Sequence, residues 1–552
     1  MQRTTRYALC LLAAVIATPH VASAQPVVPT GDLPLTVAES SDFTRTATFE
    51  DVWNWVRELQ ALGSAIHVTS TGMTTEGRAM PLVTLSRPLV TTPAEAHASG
   101  KPIIYLQGNI HAGEVEGKDA LLMLIRDFTL GEAQEVLEHV ILLINPIFNA
   151  DGNEQWGPVE RNRRGQDGPE EVGLRPNGMG LDLNRDFIKA EAPETRGVLD
   201  GVLNTWRPHI FMDLHTTNGS RHGYDLTYAA AMTPTAPRGP VDYTNDVLLP
   251  EIRTRVAERG HALFDYGNHS RSTYPPDAWS TFGWQPRYAS NYMGMRGMIS
   301  ILSEAVSYRS FRTRLSATYW FVRETVDFAG RNAETILDLI RSAEEEIVGW
   351  GSDPENAPEL GVRFEMVSRG KELVTYEVTE ASTDPAARGR RLNTGRIEEA
   401  LMEVLTVFEP VATRPFPAGY IIPVAYPEAV ELLLRHGVTV ERLEAHWSGS
   451  VQVFTVDSLT VAQRPYQGHR NISVWGDYSE GEREVPAGWY FVSTAQPLGA
   501  LVFTMLEPEI EDGLFTWNYF DRTLSARRDV PVLKVMSAPA VSRSRISEVV
   551  GR

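Results

Sequence analysis

Apolar and polar positions along the 552-residue chain change rhythm several times, and the changes outline its architecture. The stretch "TFEDVWNWVRELQAL" (Thr48 to Leu62) carries apolar residues at helical spacing, and "GMTTEGRAMPLVTLS" reads as a turn feeding a strand. From there "PIIYLQG", "VILLINPI", "HIFMDLHT" and "GMISILSEA" read as strands. "DALLMLIRDF", "PETRGVLDGVLNTW" and "VLLPEIRTRVAERGH" read as helices, and Tyr319 to Trp350 as one long helix. Strands written as continuous apolar runs and separated by helices predict a largely parallel sheet covered on both faces.

At Gly351 to Pro358 ("GSDPENAP") the composition shifts to turn formers, and a domain boundary is expected there. Beyond it the pattern favours short strands at "GYIIPVA", "SVQVFTV", "NISVWGDY", "GWYFVST" and "ALVFTML", with a helix at "PEAVELLLRHG". The expected organisation is a leader over residues 1–24, an α/β domain over 25–350 and a smaller β-rich domain over 359–552. A chain of this length exceeds what one core usually supports.

The leader rests on Arg3 and Arg6, the apolar run Ala8 to Ala17, and small residues at Ala22 to Ala24 ahead of Gln25. That three-part pattern predicts export, with cleavage near Ala24, to a secreted or periplasmic address. No run reaches the length of a transmembrane helix. The single cysteine, Cys10, falls within the leader, so the mature chain is expected to have no thiol ligand and no disulfide. A formal charge of -19 argues against a nucleic-acid partner, which would demand surplus Lys and Arg.

In open α/β sheets, ligands gather at the carboxyl ends of the strands. Four chemistry-bearing groups stand there: His111 and Glu114 after "PIIYLQG", His215 ending "HIFMDLH", and Glu304 ending "GMISILSE". The loop "GLDLNRDF" adds Asp182, Asn184 and Arg185. Two histidines and a glutamate form a ligand set used by catalytic zinc sites that keep one position open for water. Gathering two imidazoles and two carboxylates without a cation would be costly, which favours a metal at this rim.

At these residues the chain resembles the zinc carboxypeptidase family, the carboxypeptidase A and B-like metallopeptidases. The resemblance runs from about Thr48 to Glu345 through "TTEGRAMPLVTLS", "GNIHAGE", "NPIFNADGNE", "DLNRDF", "DLHT" and "ILSEA". It implies an α/β/α sandwich on a mixed, largely parallel sheet, one Zn2+ per chain, and a peptide substrate with a free C-terminal carboxylate. By the same resemblance His111, Glu114 and His215 are the zinc ligands, Glu304 is the general base, and Asn184 and Arg185 grip the terminal carboxylate. Asp182 corresponds to the carboxylate that orients a ligating histidine.

The family also implies an arginine for the tetrahedral oxyanion. "VERNRRGQ" offers Arg161, Arg163 or Arg164: the shared Asn-Arg step favours Arg163, and the count from Asn184 favours Arg161. Tyr288 and Tyr292 are both candidates for a substrate-covering tyrosine. The loop from Ser270 to Arg296 should border the pocket, its aromatic residues suiting an apolar or aromatic terminal residue, Arg287 and Arg296 an acidic one.

The later "RPYQGHR", "PAGWYFVSTAQPLG" and "EPEIEDGLFTWNYFD" resemble segments that trail the peptidase domain in some bacterial members. His469, Gln496 and Trp517 stand out in them, as strand caps and interface fillers or as contributors to the site. The expected function is a secreted zinc metallocarboxypeptidase. A zinc amidase acting on cell-wall peptides or N-acylated small molecules is the alternative, and a non-catalytic binding protein a third reading. Glu304 weighs against the last, because a site without catalysis has little use for a base.

Overall fold

A computed structural model describes residues 33–217, 219–382 and 391–549. The leader expected over residues 1–24, with Cys10, lies outside the described residues.

The central sheet has eight strands: β1 (His67–Met73), β2 (Ala79–Leu85), β3 (Ile103–Gly108), β4 (Ile141–Asn145), β5 (Ile210–Thr217), β6 (Leu226–Ala230), β7 (Leu263–Asp265) and β8 (Ile299–Val306). Their order is β1-β2-β4-β3-β5-β8-β6-β7. The centre, β4-β3-β5-β8, is parallel throughout, and antiparallel pairing enters through β1, β2 and β6. The sheet is therefore mixed and largely parallel, as the pattern predicts.

Alternation along the central strands separates two cores, because successive side chains leave opposite faces of a strand. Ile104, Leu106, Leu142, Ile144, Ile210, Met212 and Leu214 point to one face, under the helices Phe49–Ala61, Glu116–Thr129, Leu249–Glu258 and Phe311–Arg331. Ile103, Tyr105, Ile141, Leu143 and Phe211 point to the other. That second core runs on without a break into the C-terminal region, through Tyr420, Val430, Leu433, Leu501 and Trp517.

Where the sheet meets its covering helix, the fit requires glycine. A Cβ on Gly117, in the first turn of Glu116–Thr129, would lie 2.6 Å from Leu214 Cβ, and one on Gly108 would lie 2.9 Å from the Gly117 carbonyl carbon. This close approach seats the helix start on the ends of β3 and β5 and fixes the turn that carries His111 and Glu114.

The C-terminal region contains a seven-stranded antiparallel sheet that takes in Gly419–Ile422, Trp447–Val461, Ile472–Val485 and Tyr490–Ser493. The helix Pro427–Arg435 also matches the pattern. Three features differ from the sequence reading. "ALVFTML" is a helix, Gly499–Leu506, buried at all eight positions. A short run whose single polar position is Thr504 shows no period, so strand and buried helix look alike in it. The helix expected from Tyr319 to Trp350 is two, Phe311–Arg331 and Ala333–Ser352, broken at Asn332. Finally, a long hairpin, Glu359–Ala381 with Arg391–Pro415, precedes the seven-stranded sheet and pairs with Ala278–Ser280.

Candidate metal and catalytic site

The parallel register brings the site together. Gly108, the last residue of β3, pairs with Leu214 of β5, and His215 of β5 pairs with Glu304 of β8. Three neighbouring strands thus end side by side. After β3 the chain turns through Asn109 at φ 65°, a conformation Asn tolerates better than most residues, and the Glu114 N–H closes the turn on the His111 carbonyl at 2.9 Å.

The donor atoms converge. His111 Nδ1 lies 3.1 Å from Glu114 Oε1, His215 Nδ1 lies 3.0 Å from Glu114 Oε2, and the two Nδ1 atoms are 3.2 Å apart. All three side chains are buried, at 3, 3 and 2 % exposure. Behind each ring stands a carboxylate: Asp182 Oδ1 is 2.9 Å from His111 Nε2, and Asp213 Oδ2 is 2.8 Å from His215 Nε2. An ionised carboxylate only accepts, so each Nε2 is the hydrogen-bearing nitrogen, and in its neutral form each ring would present its Nδ1 lone pair to the other and to Glu114.

Three electron-rich atoms turned inward call for positive charge between them. Burial alone would lower His215, but Asp213 and then Glu114 outweigh it and hold the imidazole well above its usual range. For Glu114, burial acts upward and the charges of His111 and Arg163 overcome it, leaving the carboxyl well below its usual range. The same field favours a divalent cation in place of the proton, since ligation requires these atoms deprotonated. The spacing suits zinc, whose tetrahedral nitrogen ligands at 2.0–2.1 Å sit about 3.3 Å from one another. The residues present fit the ion.

Around this centre is a cavity of about 150 Å³, whose lining includes His111, Glu114, Arg163, Arg185, Tyr288 and Glu304. A roomier cleft of about 620 Å³, lined by Tyr228, Asp265 and Arg369 among others, brings together no such donor set and is set aside on chemistry. Burial, reinforced by Glu114 and opposed by His215, pushes the Glu304 carboxyl up to about 8. A bound cation would act downward on it.

Of the arginine candidates, Arg163 enters the cavity, donating to Glu114 Oε1 at 3.0 Å and to the Thr216 carbonyl at 2.6 Å. Gly113 makes room for it, since a Cβ there would lie 2.5 Å from Arg163 Cγ. Arg161 turns outward, to Asn162 and the Trp156 carbonyl. Arg185 lies 4.4 Å over the ring of Tyr288, and Asn184 Oδ1 accepts the Ala289 N–H at 2.8 Å. Tyr292 is fully buried with its hydroxyl 2.6 Å from His436 Nδ1, away from the cavity.

Arg287 and Arg296, the candidates for an acidic specificity, are engaged elsewhere. Arg287 pairs with Asp512 and Glu511, and Arg296 donates to Tyr292, Asn204 and the His436 carbonyl. Gln496 bonds Thr439 and Ser493, Trp517 is buried, and His469 reaches Glu191 at 2.7 Å. None of these three lines the cavity.

Arg175 and Tyr266 are among the cavity residues that the sequence reading did not single out. Arg175 donates to Asp182 Oδ2 at 3.0 Å and to Glu114 Oε1 at 3.4 Å, and Tyr266 stands just after β7. The signal available for Arg175 was its place seven residues ahead of Asp182 in the same loop.

Residues 52–236 match the family model described as zinc carboxypeptidase. The chain is 23 % identical over 462 residues to Carboxypeptidase 2 of Trichophyton rubrum, covering 80 % of this chain and 78 % of that one. It is 23 % identical over 456 residues to Probable carboxypeptidase 2 of Arthroderma benhamiae, covering 79 % of each. Among solved structures it resembles a metallo-carboxypeptidase from Burkholderia cenocepacia, at 18 % identity and TM-score 0.38, over 51 % of this chain and 69 % of that one. It also resembles carboxypeptidase A from Helicoverpa armigera, at 16 % identity and TM-score 0.39, over 53 % and 75 %. The donor set makes a candidate metal site at the rim of an α/β domain. More particularly, the chain carries a domain of the zinc carboxypeptidase family and is an enzyme of the metallocarboxypeptidase class. The matched residues contain His111, Glu114, Asp182, Arg185 and His215, and Glu304 lies beyond them.

Asp213 touches no substrate space, yet it sets the His215 tautomer. Replacing it with alanine should weaken zinc binding about 10- to 100-fold, measured by chelator competition. Unchanged affinity would contradict the role given to the carboxylate behind the ring.

Proposed function

We propose that the chain is an exported, zinc-dependent metallocarboxypeptidase that hydrolyses the C-terminal peptide bond of peptides, and that residues 25–350 form its catalytic unit. The observation that carries the reading is the inward convergence of His111 Nδ1, His215 Nδ1 and Glu114 beside Glu304, in a cavity that also holds Arg185. His111, Glu114 and His215 would hold one zinc ion. When bound, zinc makes hydroxide available near neutral pH and polarises a carbonyl oxygen.

The chain's own residues do the rest. Glu304, in register with His215, takes a proton from the attacking water and delivers it to the departing amine nitrogen. Arg163 donates to the oxygen that gains charge as the carbonyl carbon becomes tetrahedral. Arg185, with Asn184, receives the substrate's terminal carboxylate, for which a planar guanidinium offers two parallel donors. Tyr288 stacks on Arg185 and borders the same space. Asp182 and Asp213 hold the two imidazoles in the tautomer that ligation needs. Export is read from the pattern of residues 1–24, and among the described residues no helix is long and apolar enough to cross a membrane.

Two substitutions test separate parts of this reading. Arg185→Ala should raise KM about 10- to 100-fold for a peptide with a free C-terminus, the worth of a charge-assisted hydrogen bond, and change it little for the amidated peptide. Equal effects on both would turn the reading towards an amidase. Glu304→Gln should keep zinc and lower kcat by about 10²- to 10⁴-fold, as expected when acid-base work is removed. Turnover at the parent rate would remove Glu304 from the reaction.

A further inference from the structure

The C-terminal region reaches the carboxylate-binding side of the cavity from behind. Its turn Tyr466–His469 is closed by reciprocal hydrogen bonds, Tyr466 N–H to the His469 carbonyl at 2.7 Å and His469 N–H to the Tyr466 carbonyl at 3.0 Å. The two central residues, Gln467 and Gly468, sit at φ 49° and φ 86°. Positive φ is natural for Gly468 and unfavourable for Gln467, whose side chain the turn carries at its tip.

That side chain accepts the backbone N–H of Asp182 at 3.0 Å through Oε1. Asp182 opens the short helical turn Leu183–Arg185, receives the Asn184 N–H on Oδ1 at 3.0 Å, and holds His111 Nε2 with the same oxygen. One hydrogen bond from a distant part of the chain therefore sits at the hinge between a metal-ligand orienter and the arginine of the cavity.

Flanking contacts close on the same segment. His469 Nε2 lies 2.7 Å from Glu191, whose other oxygen takes Lys189 at 2.6 Å, and Lys189 also pairs with buried Asp186 at 2.6 Å. On the other side Asp512 accepts both the Arg287 N–H and Nε–H, at 3.0 and 2.8 Å, one residue before Tyr288. Arg185 and Tyr288, the stacked pair, are thus each backed by the C-terminal region.

We propose that Gln467 is a positioning residue of the active site: by accepting the Asp182 N–H, it sets the turn from which Asp182 orients His111 and Arg185 meets the substrate. The C-terminal region is then part of the catalytic apparatus and not an appended module. This rests on the carboxypeptidase reading above, and its test separates the two. Zinc affinity, KM and kcat on a blocked dipeptide with a free carboxylate, and melting temperature are measured for the full chain and for three variants. Gln467→Ala removes the acceptor. Gln467→Asn shortens the side chain while suiting positive φ, so backbone strain does not account for its effect. Arg470→Ala, at an exposed side chain beside the turn, is the control.

Both Gln467 variants should raise KM and the zinc dissociation constant about 3- to 10-fold, the range of one hydrogen bond, with the melting temperature held within about 2 °C and Arg470→Ala at parent values. Unchanged KM and zinc affinity in both Gln467 variants, or the same losses in Arg470→Ala, would overturn the proposal. A parent chain that neither binds zinc nor cleaves would overturn the catalytic reading itself, and this proposal with it.

Discussion

Two imidazole nitrogens 3.2 Å apart, each ring held from behind by a carboxylate and both facing a third, make an arrangement that is stable only around positive charge. Every other feature of the site answers to that constraint. Burial strengthens it, because charge turned away from water interacts more strongly. Asp182 and Asp213 sharpen it by fixing which nitrogen is free. The turn of His111 and Glu114 starts where Gly108 and Gly117 let strand and helix approach closely, which holds the donor atoms near one another.

The sheet supplies the precision. Because β3, β5 and β8 run parallel and adjacent, their ends arrive together, and the pairing of His215 with Glu304 brings the proposed base beside a proposed ligand without any loop to position it. The loops supply what the strands cannot: Arg163 and Arg175 from the segment after β4, Asp182 and Arg185 from the short turn before β5, and Tyr288 from the segment before β8. Cationic loops over an anionic strand end leave a small cavity with charge of both signs. The proposed substrate, with a carboxylate on one side and a polarisable carbonyl on the other, would meet both signs there.

Much of this was legible in the chain. The central strands announce themselves as apolar runs, with His215 and Glu304 near the ends of two and His111 and Glu114 in the turn after a third, so these four could be placed at one rim from the sequence. Choices between close neighbours could not be made that way. Arg161 and Arg163 stand two apart in one short segment, and only the space left by Gly113 separates them. Tyr288 and Tyr292 are four apart, a spacing that would share a helix face, yet Tyr288 sits just outside the helix Ala289–Met295 and Tyr292 inside it. The long hairpin went unread because its strand Arg391–Pro415 shows apolar residues on both faces: Met402 and Val404 are buried while Leu401 and Val407 are exposed, which blurs a period of two. The link from Gln467 to Asp182 joins residues 285 apart and leaves no local trace.

The second core, shared between the sheet and the C-terminal region, makes the two parts one packed unit along that face. Whether the donor set holds an ion is read from a zinc K-edge X-ray absorption spectrum of the metallated full chain. The spectrum should show one zinc per chain with two imidazoles and oxygen donors at about 2.0–2.2 Å. A spectrum without imidazole scattering, or a chain that takes up no zinc, would contradict the zinc reading.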